Sequence, residues 1–157
     1  MKICIIYHSY SGITRGVAEK IQAACGGDLV EVRPKENYTT LTAYMKGCKR
    51  ARNEERDPIT PEVIDVAPYD RLVIGTPVWA FKATPPINAA VAALKGCEEK
   101  STVLFATCGG MPGETLPILR RALEERGVTV AGEEVFSRRE IGDPKKLESL
   151  IAMVKAP

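Results

Sequence analysis

This chain of 157 residues has one histidine, one tryptophan and almost no charge imbalance, with 22 lysines and arginines against 20 aspartates and glutamates. A net charge of +2 gives no global field for nucleic acid, so any charge argument must be local. No apolar stretch approaches the roughly 20 residues of a membrane helix. The N-terminal run Ile3 to Tyr7 is too short for the core of a signal peptide. There is no C-x-x-C. The five cysteines (Cys4, Cys25, Cys48, Cys97, Cys108) are odd in number and scattered, which fits reduced thiols in a cytoplasm and not a disulfide framework or zinc site. Internal repeats, low-complexity stretches and linkers are absent too. What remains is ordinary globular composition, 45% apolar and 27% charged, expected to form one domain over 1–157.

Strand-like and helix-like segments alternate. Lys2–Tyr7 is a continuous apolar run, as in a strand buried on both faces. Val17, Ala18, Ile21, Ala24 and Cys25 repeat with helical period until Gly26-Gly27. Leu29–Val32 gives a second strand, and Leu41, Tyr44, Met45 and Cys48 have the spacing of a helix. Arg71–Gly75 is a third strand, followed by a helix opened by Pro85-Pro86. Ser101–Thr107 is a fourth, and a helix carrying Leu116, Leu119 and Leu123 ends at Gly127. Val128–Phe136 is a fifth strand whose charges suit a sheet edge. Asp143 caps a last helix with Pro144 at its first position. The expected fold is α/β: a doubly wound, five-stranded parallel sheet.

Ligands of such sheets bind at the carboxyl ends of the strands. Three loops therefore matter: "HSYSGIT" after strand one, "TPVWAFKATPP" after strand three and "TCGGMPGE" after strand four. In the first, Ser9, Ser11 and Thr14 surround Gly12 at the start of a helix. N-capping needs one hydroxyl; three with a glycine point to a bound anion. Neither G-x-x-x-x-G-K-[ST] nor G-x-G-x-x-G occurs, which excludes a Walker loop and a dinucleotide fingerprint. Cys108 and Cys97 have no arginine six residues on, so neither begins a phosphatase loop. In the second loop Trp79 is either a core residue or a platform for a heteroaromatic ring. The third has three glycines in five residues and can bring its backbone against a ligand edge.

These residues resemble the flavodoxin family along essentially the whole chain. "SYSGIT" is similar to the family's phosphate signature [ST]-x-[ST]-G-x-T, "YDRLVIGTPVW" to its third strand and aromatic loop, and "FATCGGMPGE" to its fourth-strand loop. The resemblance implies strand order 2-1-3-4-5 and FMN as cofactor. Carried over, Ser9, Tyr10, Ser11, Gly12, Ile13 and Thr14 would bind its phosphate. Thr76, Pro77, Val78, Trp79, Ala80 and Phe81 would meet or adjoin the ring, with either aromatic as the stacking residue. Cys108, Gly109 and Gly110 would add backbone contacts. No catalytic side chain and no metal are implied.

The function implied is electron transfer between redox proteins; the alternative is an NAD(P)H-dependent FMN or quinone oxidoreductase on the same fold. A third reading, an interaction domain that has lost its cofactor, is disfavoured by the intact first loop. The family pattern is broken in places. Thr76 to Thr84 contains no glycine, so a peptide flip at Ala80 or Phe81 would need an unfavourable positive φ. A poorly stabilised one-electron-reduced flavin is the expectation. Lys82 and Arg15 are expected to face water, His8 to be a loop residue beside the phosphate, and Cys108 to be a packing residue. "KGCKRARNEER" (Lys46 to Arg56) has five basic and two acidic residues, a local charge of +3. It is either a solvated helix face or a dock for an acidic, ferredoxin-like redox partner.

Overall fold

Strand β1 (Ile3–Tyr7) is buried along its whole length, and this dictates the architecture: a strand without a wet face must be central and covered on both sides. The computed structural model describes residues 1–157. Beside β1 lie β2 (Asp28–Glu31) and β3 (Arg71–Trp79), and beyond β3 come β4 (Ser101–Cys108) and β5 (Thr129–Ser137). All four pairings are parallel, giving the order 2-1-3-4-5. The two edge strands are the more exposed, as their charged residues require.

Alternating side chains of the central strands feed two cores. Cys4, Ile6, Leu72, Ile74 and Leu104 face one side, packing with Ile87 of α3 (Pro85–Ala93) and Leu119 and Leu123 of α4 (Thr115–Glu124). Ile5, Val73 and Phe105 face the other, against Val17 and Ile21 of α1 (Ile13–Cys25) and Leu150 and Val154 of α5 (Pro144–Lys155). Each such fully buried side chain contributes about 1.5–3 kcal/mol. Gly75 is needed where Phe105 crosses β3, since a Cβ there would lie 2.1 Å from the ring. Asp143 caps α5 as its position before Pro144 demands, accepting from the Lys145 N–H at 2.9 Å. No helix is long and apolar enough to cross a membrane.

Two elements differ from expectation. Strand β3 does not stop at Gly75 but runs on to Trp79 and turns back as Lys82–Ala83 in a hairpin. The two turn residues, Ala80 and Phe81, both have positive φ (50° and 64°), as a turn that matches strand twist requires. A hairpin with neither glycine nor asparagine at its tip carries no sequence signal. The second difference is the helical segment α2, made of Thr40–Thr42, a π-helical turn over Ala43–Gly47, and Cys48–Arg52. Its apolar stripe faces outward: Leu41, Tyr44 and Met45 are 67%, 77% and 67% exposed, while Ala43, Gly47 and Ala51 are buried. At Gly47 the inward residue must be the smallest, because a Cβ there would come within 2.6 Å of the Trp79 indole.

Candidate functional site

The three loops meet at the carboxyl end of the sheet. In the first, helix α1 begins after Gly12, held at φ 93°. The Ser9 Oγ accepts from the N–H of Gly12 (3.1 Å) and of Arg15 (3.2 Å), which leaves its own O–H free to donate. Gly16 N–H reaches Gly12 O, but the N–H groups of Ile13 and Thr14 find no acceptor within the protein. The Ser11 hydroxyl is exposed, and Thr14, fully buried, bonds Thr107 of β4 at 2.8 Å. Two free N–H groups at the positive end of a 13-residue helix, flanked by hydroxyls, are the donor set for an anion.

The loop's neighbouring cation is not available to that anion. Arg15, expected in water, is instead paired with Glu31 of β2, which also holds Arg33 at 2.7 Å. His8 opens the same loop, as expected, but is buried in it. It is 3% exposed, its Nδ1 lies 2.9 Å from Thr84 Oγ1, and burial lowers its pKa to about 4, so it is neutral at pH 7.

In the hairpin, Thr76 is fully buried and its hydroxyl donates to Pro77 O (2.7 Å) and accepts from Thr84 N–H (3.3 Å). Its side chain is thus used inside the protein. Pro77, Val78, Trp79 and Ala80 are half-buried. The indole of Trp79 packs edge-on against His8, Tyr10 and Tyr38, with ring centroids 5.2–5.8 Å apart. Phe81 stands out at the hairpin tip, 62% exposed. Lys82 does not point to water: it approaches Glu54 at 3.3 Å and its side chain is 19% exposed.

The third loop is tied to the second. The Glu114 N–H donates to Phe81 O at 3.0 Å, and Gly113 lies so close that a Cβ would sit 2.4 Å from the Cβ of Phe81. Gly109 and Gly110, like Gly12, face open space, with no atom within 4 Å of where a Cβ would be. Burial, then the charge of Glu140, push the Cys108 thiol above its ordinary pKa, which keeps it protonated.

Between loops one and three a crevice of about 170 Å³ is lined by Ser11, Ile13, Pro77, Val78, Cys108 and Gly109, among others. A larger hollow of about 420 Å³ lies behind Tyr38. There Asp57, 6% exposed, pairs with Arg50 at 2.8 Å and accepts from the Tyr38 hydroxyl at 2.5 Å. Burial and that carboxylate raise the tyrosine pKa. This triad props the wall carrying Trp79, and nothing in the spacing of Tyr38, Arg50 and Asp57 along the chain announces it.

The exposed apolar side chains mark the same end of the molecule. Of nine large ones, Tyr10, Ile13, Phe81 and Met111 come from the three loops, and Leu41, Tyr44 and Met45 from α2 beside them. Exposed apolar clusters of this kind mark binding surfaces. A site that offers free N–H groups and hydroxyls at one point, open glycines beside it and apolar side chains around it fits a flat, phosphate-bearing ligand such as FMN.

Comparison with known proteins agrees with this arrangement. A Bacteroides eggerthii protein regarded as a flavoprotein is 26% identical, with 99% of each chain covered and a TM-score of 0.79. A Lactobacillus acidophilus flavoprotein, solved in complex with FMN, is 24% identical over 92% of this chain and 99% of its own, with a TM-score of 0.73. Two-electron-reduced flavodoxin from Megasphaera elsdenii is 22% identical over 98% and 99%, with a TM-score of 0.63. No curated protein matches the sequence significantly. The family model described as Flavodoxin matches residues 2–123, which takes in all three loops, the hairpin and four of the five strands. With its sheet order and its loops in the places that family requires, this chain belongs to the flavodoxin family.

Proposed function

We propose that the crevice holds FMN and that the protein carries electrons between redox proteins. The observation that supports this most strongly is the start of α1, where the Ile13 and Thr14 N–H groups are free beside the Ser9 and Ser11 hydroxyls, while the adjacent Arg15 is committed to Glu31. A phosphate that is held and never cleaved develops no new charge, so backbone and hydroxyl donors suffice. Ser9 and Ser11 donate O–H groups to it, and Gly12 lets the chain approach closely.

FMN supplies the redox chemistry when bound, and the chain binds it, orients it and limits water around it. Pro77, Val78, Ala80 and Cys108 line the ring; Gly109 and Gly110 leave room for its edge. Phe81 and Met111 shield it from solvent. Trp79, fixed by His8, Tyr10 and Tyr38, stiffens the wall behind. Cys108, which lines the crevice, and His8, buried behind it, are held neutral, which suits a carrier with no proton to deliver better than an oxidoreductase that turns over a substrate. The partners in this reading are acidic proteins, ferredoxin-like in charge, drawn to the basic run Lys46–Arg56.

The test is direct. Purified protein is expected to be yellow, and after removal of the chromophore to quench the fluorescence of added FMN at one equivalent. A colourless protein that does not quench FMN would defeat the reading. Steady NAD(P)H oxidation by the FMN-loaded protein would replace the carrier with the oxidoreductase.

A further inference from the structure

An amphipathic helix normally turns its apolar stripe toward the core. Segment α2 does the opposite. Leu41, Tyr44 and Met45 project into solvent, and the π-helical turn that carries Tyr44 and Met45 is a distortion often found at functional sites. The inward side carries Ala43, Gly47 and Ala51, and at Gly47 the Trp79 and Tyr38 rings leave no room for a side chain. Moving Leu41, Tyr44 and Met45 inward would therefore require removing the wall of the crevice.

The charges around the stripe are not equivalent. Arg50 belongs to Asp57 and Lys82 to Glu54. Lys46, Lys49, Arg52 and Arg56 are exposed, and no carboxylate of the chain lies within ion-pair distance of any of them. Three exposed apolar side chains thus share one short helical segment with three unneutralised cations, Lys46, Lys49 and Arg52.

We infer that this face is the docking surface for an acidic protein, which seats an apolar centre on Leu41, Tyr44 and Met45 and sets carboxylates against Lys46, Lys49 and Arg52. The inference rests on the carrier reading and extends it, because it assigns recognition to the apolar stripe as well as to the basic run, and removes Arg50 from the set. Charge complementarity favours such a partner over a second copy of this chain, since a two-fold contact would set the same cations against each other. An anionic lipid surface would satisfy the cations. It would not account for the place of the segment, whose inner face packs Gly47 against the Trp79 indole beside the three loops, where a docked redox protein comes close to the cofactor.

The experiment uses the FMN-loaded protein, isotope-labelled for NMR, titrated with an unlabelled acidic [2Fe–2S] ferredoxin and, separately, with cationic cytochrome c. With ferredoxin at low salt, shifts are expected to concentrate in residues 41–56 and to weaken about tenfold or more at about 0.15 M salt. Tyr44→Ser with Met45→Ser is expected to weaken binding about tenfold. Lys46→Glu, Lys49→Glu and Arg52→Glu combined should abolish it. Cytochrome c should leave these residues unmoved. All of these side chains are exposed, and FMN quenching by each variant reports that fold and cofactor site persist. Failure to bind FMN at all would instead count against the carrier reading. The inference is overturned by shifts centred elsewhere, by equal response to cytochrome c, or by triple-variant binding equal to wild type. It is also overturned if anionic vesicles take up the protein through Tyr44, or if sedimentation shows a dimer that Tyr44→Ser dissolves.

Discussion

The two ends of the sheet use the same kinds of residue for opposite purposes. At the amino ends of the strands, arginine and lysine close the protein onto itself. Arg71 donates to Met153 O (3.0 Å) and Ala156 O (2.9 Å), capping α5, and Arg126 donates to Ala92 O and Leu94 O at the end of α3. Lys100 reaches Ala67 O and Tyr69 O. Gly27 and Gly96 are there because neighbouring chain lies within 2.6–2.7 Å of a would-be Cβ. At the carboxyl ends, N–H groups lack acceptors, Gly12, Gly109 and Gly110 face open space, and several cations have no partner. An unfinished end is the mark of a surface that something else completes, and the finished end supplies the stability that this requires.

The strongest way to break this comparison is at Gly12. Its φ of 93° strains any L side chain, and a branched one also fills the anion's space. Gly12→Val is expected to weaken FMN binding by about hundredfold or more, from about 1–3 kcal/mol of backbone strain plus lost phosphate contacts. Fluorescence quenching measures it, and an unchanged affinity would show that the first loop is not the anchor. At the other end, Arg71→Met should cost about 3 kcal/mol in urea unfolding, because it strands two helix-terminal carbonyls. FMN affinity of the folded variant should stay within about twofold, since Arg71 lies at the far end of β3. A large affinity loss would erase the distinction between the ends.

Near neutral pH the smallest effect is that of protonation. His8 is buried and neutral, with its pKa lowered to about 4 chiefly by burial, partly countered by the charge of Glu31. Between that value and about 6.5 the unfolded chain binds a proton that the folded one refuses, so stability is complete above 6.5 and declines as pH falls toward 4. The loss attributable to His8 should approach about 3–4 kcal/mol at the low end of that window and be about 2 near pH 5. It should vanish in His8→Gln, when both proteins are unfolded in urea at several pH values across that window. A decline of the same size in the variant would assign it to other groups.

Much of this organisation is written in the sequence where the physics is local. Continuous apolar runs mark strands covered on both faces, and Pro144 after Asp143 marks a helix start. "SYSGIT" marks a loop with more donors than a cap needs. What escapes is set by distant neighbours. The periodicity of Leu41, Tyr44 and Met45 correctly indicates helix, but not which way the stripe faces, because Trp79, far along the chain, decides it. The hairpin at Ala80 and Phe81 is hidden because both residues hold positive φ without glycine. The expectation that positive φ there would be resisted is thus corrected: the fold already imposes it. Arg15 and Lys82 read as solvent-facing in the sequence, and each is instead engaged by Glu31 or Glu54 from another element; His8, read as a loop residue, is buried on Thr84.

The bond from the Glu114 N–H to Phe81 O has a kinetic side. With the Lys82–Glu54 contact and the ladder between Val78 and Ala83, it pins the hairpin tip at three points. Two walls that are fastened together cannot drift apart when charge arrives between them, and polar groups already fixed in place need no reorganisation at that moment. On the carrier reading, cutting the tie would loosen the crevice wall at the moment of electron exchange while leaving the donors of the first loop in place.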